Sequence, residues 1–148
     1  MLRRKLTKDA KWGPEKTHDF FKFWSESSFS QMNEDDYIPT FRTSDALIHD
    51  SGSFLAEYMY LKKPSLYLLT EDTGGKYFSA FGRAAFNACS KAQSKGDVER
   101  FLDRLLSGEH PHHKADHFFE EQIRPLIVTP PSKKICQEIK QHFGLTQA

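Results

Sequence analysis

Ser44 to Leu69 reads SDALIHDSGSFLAEYMYLKKPSLYLL, and this stretch decides the fold. Ala46-Leu47-Ile48 is a short apolar run with a β-branched member, bounded by polar residues as a buried strand is. His49-Asp50-Ser51-Gly52-Ser53 supplies turn chemistry. Phe54, Leu55, Tyr58, Met59 and Leu61 then recur at helical spacing. Lys62-Lys63-Pro64 closes that helix, with cations near its negative end and a proline that cannot continue it. Ser65 to Leu69 is a second run of strand length. Strand, small polar loop, helix and strand make a βαβ unit with parallel strands.

The loop carries the chemistry. The first N–H groups of a helix lack intrahelical partners and point outward. Gly52 lets backbone approach a ligand, and Ser51 and Ser53 add hydroxyls. An anion such as a phosphate fits such a place. Simple helix capping by Ser51 or Ser53 is the alternative. The loop is neither G-x-G-x-x-G nor a Walker loop. Asp50 after a strand also invites a phospho-acceptor receiver reading, but the later acidic residues and lysine that receivers need are out of order.

SDALIHDSGSFLAEYMYLKKP resembles the C-terminal nucleotide-binding half of the CDP-glycerol glycerophosphotransferase family. Those bacterial enzymes build teichoic-acid and capsule-like polymers and have the two-domain GT-B fold. The family pattern is S-D-x-L-I-T-D-Y-S-S, three residues, E-Y/F, then K-P before the next strand. Ser44, Asp45, Leu47, Ile48, Asp50, Ser53, Glu57, Tyr58, Lys63 and Pro64 fall on it. His49 stands where the family often has Thr, and Ser51 and Gly52 where it often has Tyr and Ser.

The resemblance implies an α/β, Rossmann-like three-layer domain over residues 1–148. A small parallel sheet is flanked by helices, with 126–148 as linker and C-terminal helix. It implies a nucleotide-diphosphate donor, CDP-glycerol or a nucleotide sugar, and no cofactor or metal. Ser51, Gly52 and Ser53 would hold phosphates and Glu57 a ribose hydroxyl. His49 would line the cleft and Asp50 order the loop, which makes these two the catalytic candidates. The family's Lys-Pro-His-Pro-like segment lies just upstream of the point where this sequence opens. The resemblance therefore implies a half-enzyme that needs a separate N-terminal half or a second copy. It also implies a cytoplasmic location, with peripheral membrane association of the complete enzyme. The alternative is a truncated or split-gene interaction module without activity of its own.

Composition agrees with one soluble domain. The 148 residues suffice for a sizeable core, and the net charge of +1 gives no field suited to nucleic acid. No apolar run approaches the ~20 residues of a membrane span, and the N-terminus does not read as a signal peptide. Cys89 and Cys136 lack metal spacing and read as reduced, buried thiols.

The remaining segments frame the unit. Gly13-Pro14 opens a helix over 15–25 whose Phe20, Phe21, Phe23 and Trp24 suit core packing better than base stacking. Residues 28–32 suggest a short strand, and Asn33 a helix cap with Asp35 and Asp36 behind it. Thr70 to Lys76 is a loop at the sheet's C-terminal edge, where Lys76 and Arg83 stand to reach a pyrophosphate; solvation is the alternative. Residues 78–91 look helical. Gly96 to Leu106 is an amphipathic helix. His110, His112, His113 and His117, with Glu109 or Asp116, invite a zinc reading, but no H-E-x-x-H is present and a polar helix entry is the alternative. Leu126-Ile127-Val128 between prolines reads as extended linker. Ser132 caps a last helix with Ile135, Cys136, Ile139 and Phe143 on one face.

Overall fold

The computed structural model describes residues 2–33, 36–70, 78–109 and 113–145. The chain divides into two compact units, Met1–Pro39 and Thr40–Ala148.

In the first unit, α1 (Leu2–Lys8) packs on α2 (Gly13–Glu26). Pro14 sits in the first turn of α2, where its missing N–H costs nothing. Aromatic rings build much of this unit. Phe20 meets Trp12, Phe21 and Trp24 edge to face, and Phe29 meets Phe23 and Trp24. The strand expected over 28–32 is a turn instead. The Ser27 and Ser30 hydroxyls donate to the Phe23 and Trp24 carbonyls, and the Ser30 N–H donates to the Ser27 carbonyl. Such local side-chain bonds compete with strand pairing. Asn33 lies five residues before the next helix. Its side-chain oxygen accepts from Gln31, and Asp36 accepts the Ile38 N–H at 2.9 Å, at the start of α3 (Ile38–Thr43).

The second unit is α/β, with a three-stranded parallel sheet in the order β1-β2-β3, flanked by helices. β1 (Leu47–His49) pairs with β2 (Ser65–Leu68), setting His49 opposite Tyr67. Between them runs α4 (Phe54–Glu57), which tightens into a 3-10 turn over Tyr58–Leu61. Leu55, Tyr58 and Met59 are buried, each contributing about 1.5–3 kcal/mol of burial. β3 (Ser90–Ala92) follows α5 (Ala80–Ala88), so the stretch 78–91, expected to be helical or partly so, is a helix followed by a strand.

α6 (Lys95–Leu106) starts at a capping box. The Ser94 hydroxyl accepts the Asp97 N–H, and the Asp97 carboxylate accepts the Ser94 N–H. α7 (His113–Phe118) runs through a π-helical turn (Phe119–Ile123) into α8 (Arg124–Val128). The extended linker expected at 126–128 is thus helical, because Pro125 falls in the first turn of α8 rather than in its interior. α9 (Pro131–His142) has Pro130 at its cap position, so Ser132 lies inside the helix instead of capping it.

The two sides of the sheet are covered differently. Tyr67 packs in one cluster with Leu55, Met59, Cys89, Phe118 and Ile123, drawn from α4 through the π-helical turn. Leu66, Ala92 and Phe101 form a smaller cluster under α6. Cys89 is buried as expected, but Cys136 is exposed on α9. Among the described residues no helix is long and apolar enough to cross a membrane.

Of the two lysines after α4, Lys62 closes the helix as expected and Lys63 serves another. Lys62 ends the 3-10 turn in the left-handed conformation, φ 53°. Its ammonium pairs with Glu120 at 3.0 Å and lies over the Phe119 ring. Lys63 donates to the carbonyls of Phe41, Arg42 and Ser44 at 3.3, 2.7 and 2.6 Å. It therefore satisfies the C-terminal end of α3 rather than that of its own helix. Replacing Lys63 by Met keeps the stem and removes the donors. Charged hydrogen bonds of this kind are worth about 1.5–3 kcal/mol, so Lys63→Met is expected to lower the urea midpoint by an amount equivalent to ~2 kcal/mol, at unchanged slope.

Candidate functional site

The turn expected to hold an anion lies at the C-terminal end of β1, the edge where open α/β sheets present ligands. Asp50, Gly52 and Ser53 are exposed and Ser51 is half-buried. The hydroxyls of Ser51 and Ser53 face each other at 3.1 Å. Ser53 occupies the position before α4 but is itself helical, φ −69° and ψ −41°, and its side chain makes no capping bond. Capping normally needs extended dihedrals that swing the oxygen back over the first turn. Both hydroxyls are thus spent on each other and not on the helix end. The structure brings Ser51 and Ser53 together; Glu57 sits one turn further on, half-buried, its N–H donating to the Ser53 carbonyl at 3.3 Å.

Gly52 has a reason to be glycine that the sequence did not disclose. A Cβ there would stand 3.2 Å from Cε1 of Phe78. That separation is too short for ordinary carbon packing. Part of the room left by the missing side chain is therefore used by a protein ring rather than by a ligand. The other hidden partner is Tyr67. Its hydroxyl donates to the Asp50 carbonyl at 3.0 Å, and its ring meets that of His49 edge to face at 5.3 Å. Parallel register puts Tyr67 beneath the turn, and only that register could have revealed it.

His49 closes β1 and is 7% exposed. Its Nδ1 lies 3.0 Å from the Ser51 carbonyl. A carbonyl only accepts, so Nδ1 carries the hydrogen and Nε2 keeps its lone pair. Nε2 is buried without a hydrogen-bond partner. Burial lowers the imidazole pKa from 6.5, against smaller opposing effects of the Ser51 carbonyl and of Asp50. His49 is thus a neutral acceptor wedged under the turn near the rings of Tyr67 and Phe54.

The other candidates fall elsewhere. Lys76 and the Gly74-Gly75 pair lie outside the described residues. The Arg83 guanidinium donates to the carbonyl of Phe78 at 2.5 Å. His110 and His112 are also outside the described residues, and His117 pairs with Glu121 at 3.2 Å. No group of three or more metal-ligating side chains occurs among the described residues. Cys89 donates to the Ser65 carbonyl, and burial pushes its thiol pKa up, which makes it unreactive.

Protonating His49 places a charge in a buried site, so the proton favours the unfolded chain. The folded pKa is lowered, so its share of stability is complete above the unfolded value of about 6.5. That share is lost as the pH falls below it and levels off below the folded pKa. Urea midpoints at about pH 7.5 and 5.5 are expected to differ more for the native chain than for His49→Gln. Equal pH dependence of the two proteins would show that His49 is not buried neutral.

No family model, no curated protein and no solved structure matches this chain.

Proposed function

We propose that the turn from Asp50 to Ser53 binds the phosphates of a nucleotide-diphosphate donor of the CDP-glycerol type. The second unit would then be the Rossmann-like donor half of a GT-B glycerophosphotransferase or glycosyltransferase for polysaccharide or teichoic-acid-type polymers. The observation that carries this reading is the paired Ser51 and Ser53 hydroxyls, uncommitted to capping, at the C-terminal edge of a parallel sheet. The family resemblance of residues 44–64 supports it independently. Each hydroxyl can turn its hydrogen to a phosphate oxygen, and a bond to a charged oxygen is stronger than the one between the two serines.

Electrostatics limits the affinity. A helix terminus contributes about 0.3–1 kcal/mol to holding an anion. The Asp50 carboxylate is a like charge of comparable effect, ~1 kcal/mol near 4 Å in water. Binding must therefore rest on direct hydrogen bonds from hydroxyls and backbone, with Glu57 as the residue that would hold a ribose hydroxyl.

A second reading is favoured by one observation. α9 buries none of its residues and exposes Ile135, Ile139 and Phe143, as an interaction module that joins a separate half would. Size-exclusion chromatography with and without such a half tests it.

Calorimetric titration of the folded chain with CDP, CDP-glycerol and a UDP-sugar tests the first reading. Binding of one of them is expected, weakened about tenfold in Ser53→Ala, the loss of one charge-assisted bond. Asp50→Asn is expected to tighten it about two- to fivefold, since Tyr67 holds the backbone of Asp50 and not its carboxylate. Absence of heat with all three ligands would overturn the reading.

A further inference from the structure

The first unit carries a groove of about 450 Å³, lined by residues of α1, α2 and the segment after α2, and within the size range of small-molecule sites. Its polar lining is sorted by charge. His18, Lys22 and Glu26 stand four residues apart on α2, so they form one row with a rise of ~6 Å between neighbours. Arg3 comes from α1, and its guanidinium lies 5.2 Å from the centroid of the Phe21 ring. Phe21 is level with the interval from His18 to Lys22 and leans toward the start of α2, which puts Arg3 at that end of the row and away from Glu26. Glu26 closes α2, where the helix dipole also favours a cation. The half-buried ring of Phe21 and the thioether of Met32 form the apolar part of the wall. Among the described residues no ion pair engages Arg3, Lys22 or Glu26. A cation–π contact occupies no N–H group, so the guanidinium fork of Arg3 is open to an anion.

We propose that this groove binds a small phosphorylated amine with an apolar body. The forked donors of Arg3 answer two oxygens, and the Lys22 ammonium and a ring N–H of His18 answer a third. A phosphomonoester presents three such oxygens and a carboxylate two, so phosphate uses the whole set. The apolar body lies on Phe21 and Met32. Glu26 takes the amine, and its charge repels a ligand that is anionic at both ends. This inference is independent of the nucleotide reading, since it uses no residue of the turn at 50–53 and none of the second unit.

The test is calorimetric titration of the intact chain with O-phosphotyramine, which joins a phosphate to an ammonium through an aromatic ring. Binding is expected, with movement of the His18 ring signals in NMR spectra, identified by their absence in His18→Gln. Tyramine, which lacks the phosphate, is expected to bind at least about tenfold more weakly, the loss of the charge-assisted bonds. Phenyl phosphate, which lacks the amine, is expected to lose about two- to fivefold, the worth of an exposed ion pair. Arg3→Gln and Lys22→Gln are each expected to weaken O-phosphotyramine about three- to tenfold. Glu26→Gln is expected to weaken O-phosphotyramine while phenyl phosphate binds as tightly or more so. All three side chains are exposed, so these variants should keep the circular dichroism of the parent. Ser53→Ala is expected to leave the binding unchanged. Absence of heat with O-phosphotyramine would overturn the proposal. So would tyramine binding as tightly, which would assign the affinity to the ring and amine, and so would loss of binding in Ser53→Ala, which would assign it to the turn.

Discussion

The hydroxyl of Tyr67 on the Asp50 carbonyl is the contact on which the second unit depends. It ties the middle strand to the turn that leaves the edge strand, at 3.0 Å. Tyr67 is 2% exposed, so its ring is committed to the core against His49 and Phe86. A buried phenol needs a partner, and the turn supplies one only in the shape it has. The register that sets His49 opposite Tyr67 therefore fixes where the turn begins, and the rings beneath fix its height. His49 reinforces this from the other side, since its Nδ1 hydrogen holds the Ser51 carbonyl. Two successive carbonyls of the turn are thus held from below, and the serine hydroxyls and Gly52 are left above.

The sheet around this contact is small and unevenly covered. Its strands are three or four residues long, so few side chains on each side can be buried. One side receives four helical segments and most of the buried residues. The other is covered by α6, whose Phe101 reaches Leu66 and Ala92. Ile48, level with Leu66 in register, stays 38% exposed. Burial thus weakens from the middle strand toward β1, as it does toward β3.

How much of this could be read in the residues depended on whether the deciding contact was local. β1, α4 and β2 announced themselves through apolar runs and helical spacing, and the strand was displaced by only one residue, to Leu47–His49. β3 did not, because Ser90-Lys91-Ala92 has one small apolar side chain and is a strand only by pairing with β2. Leu126-Ile127-Val128 carried a strand-like composition, yet no strand of the sheet is built there and helical φ at Pro125 prevailed. At the site, the identity and exposure of Ser51, Gly52 and Ser53 were legible. Their supports were not, since Phe78 and Tyr67 arrive from distant positions and Lys63 serves a helix other than its own.

What the turn can hold follows from this division between held carbonyls and hydroxyls that are paired only with each other. An inorganic anion would gain a little from the helix end and lose about as much to the Asp50 carboxylate. Such a site is a poor trap for charge alone. A ligand that brings hydroxyls as well as a phosphate gains hydrogen bonds that the charge of Asp50 does not oppose, since a neutral hydroxyl is not repelled by a carboxylate. The turn would then, on the proposed reading, take a phosphorylated polyol or nucleotide in preference to free phosphate. On the proposed reading, selectivity comes from this mixed donor and acceptor surface rather than from net positive potential, in keeping with a chain whose overall charge is +1.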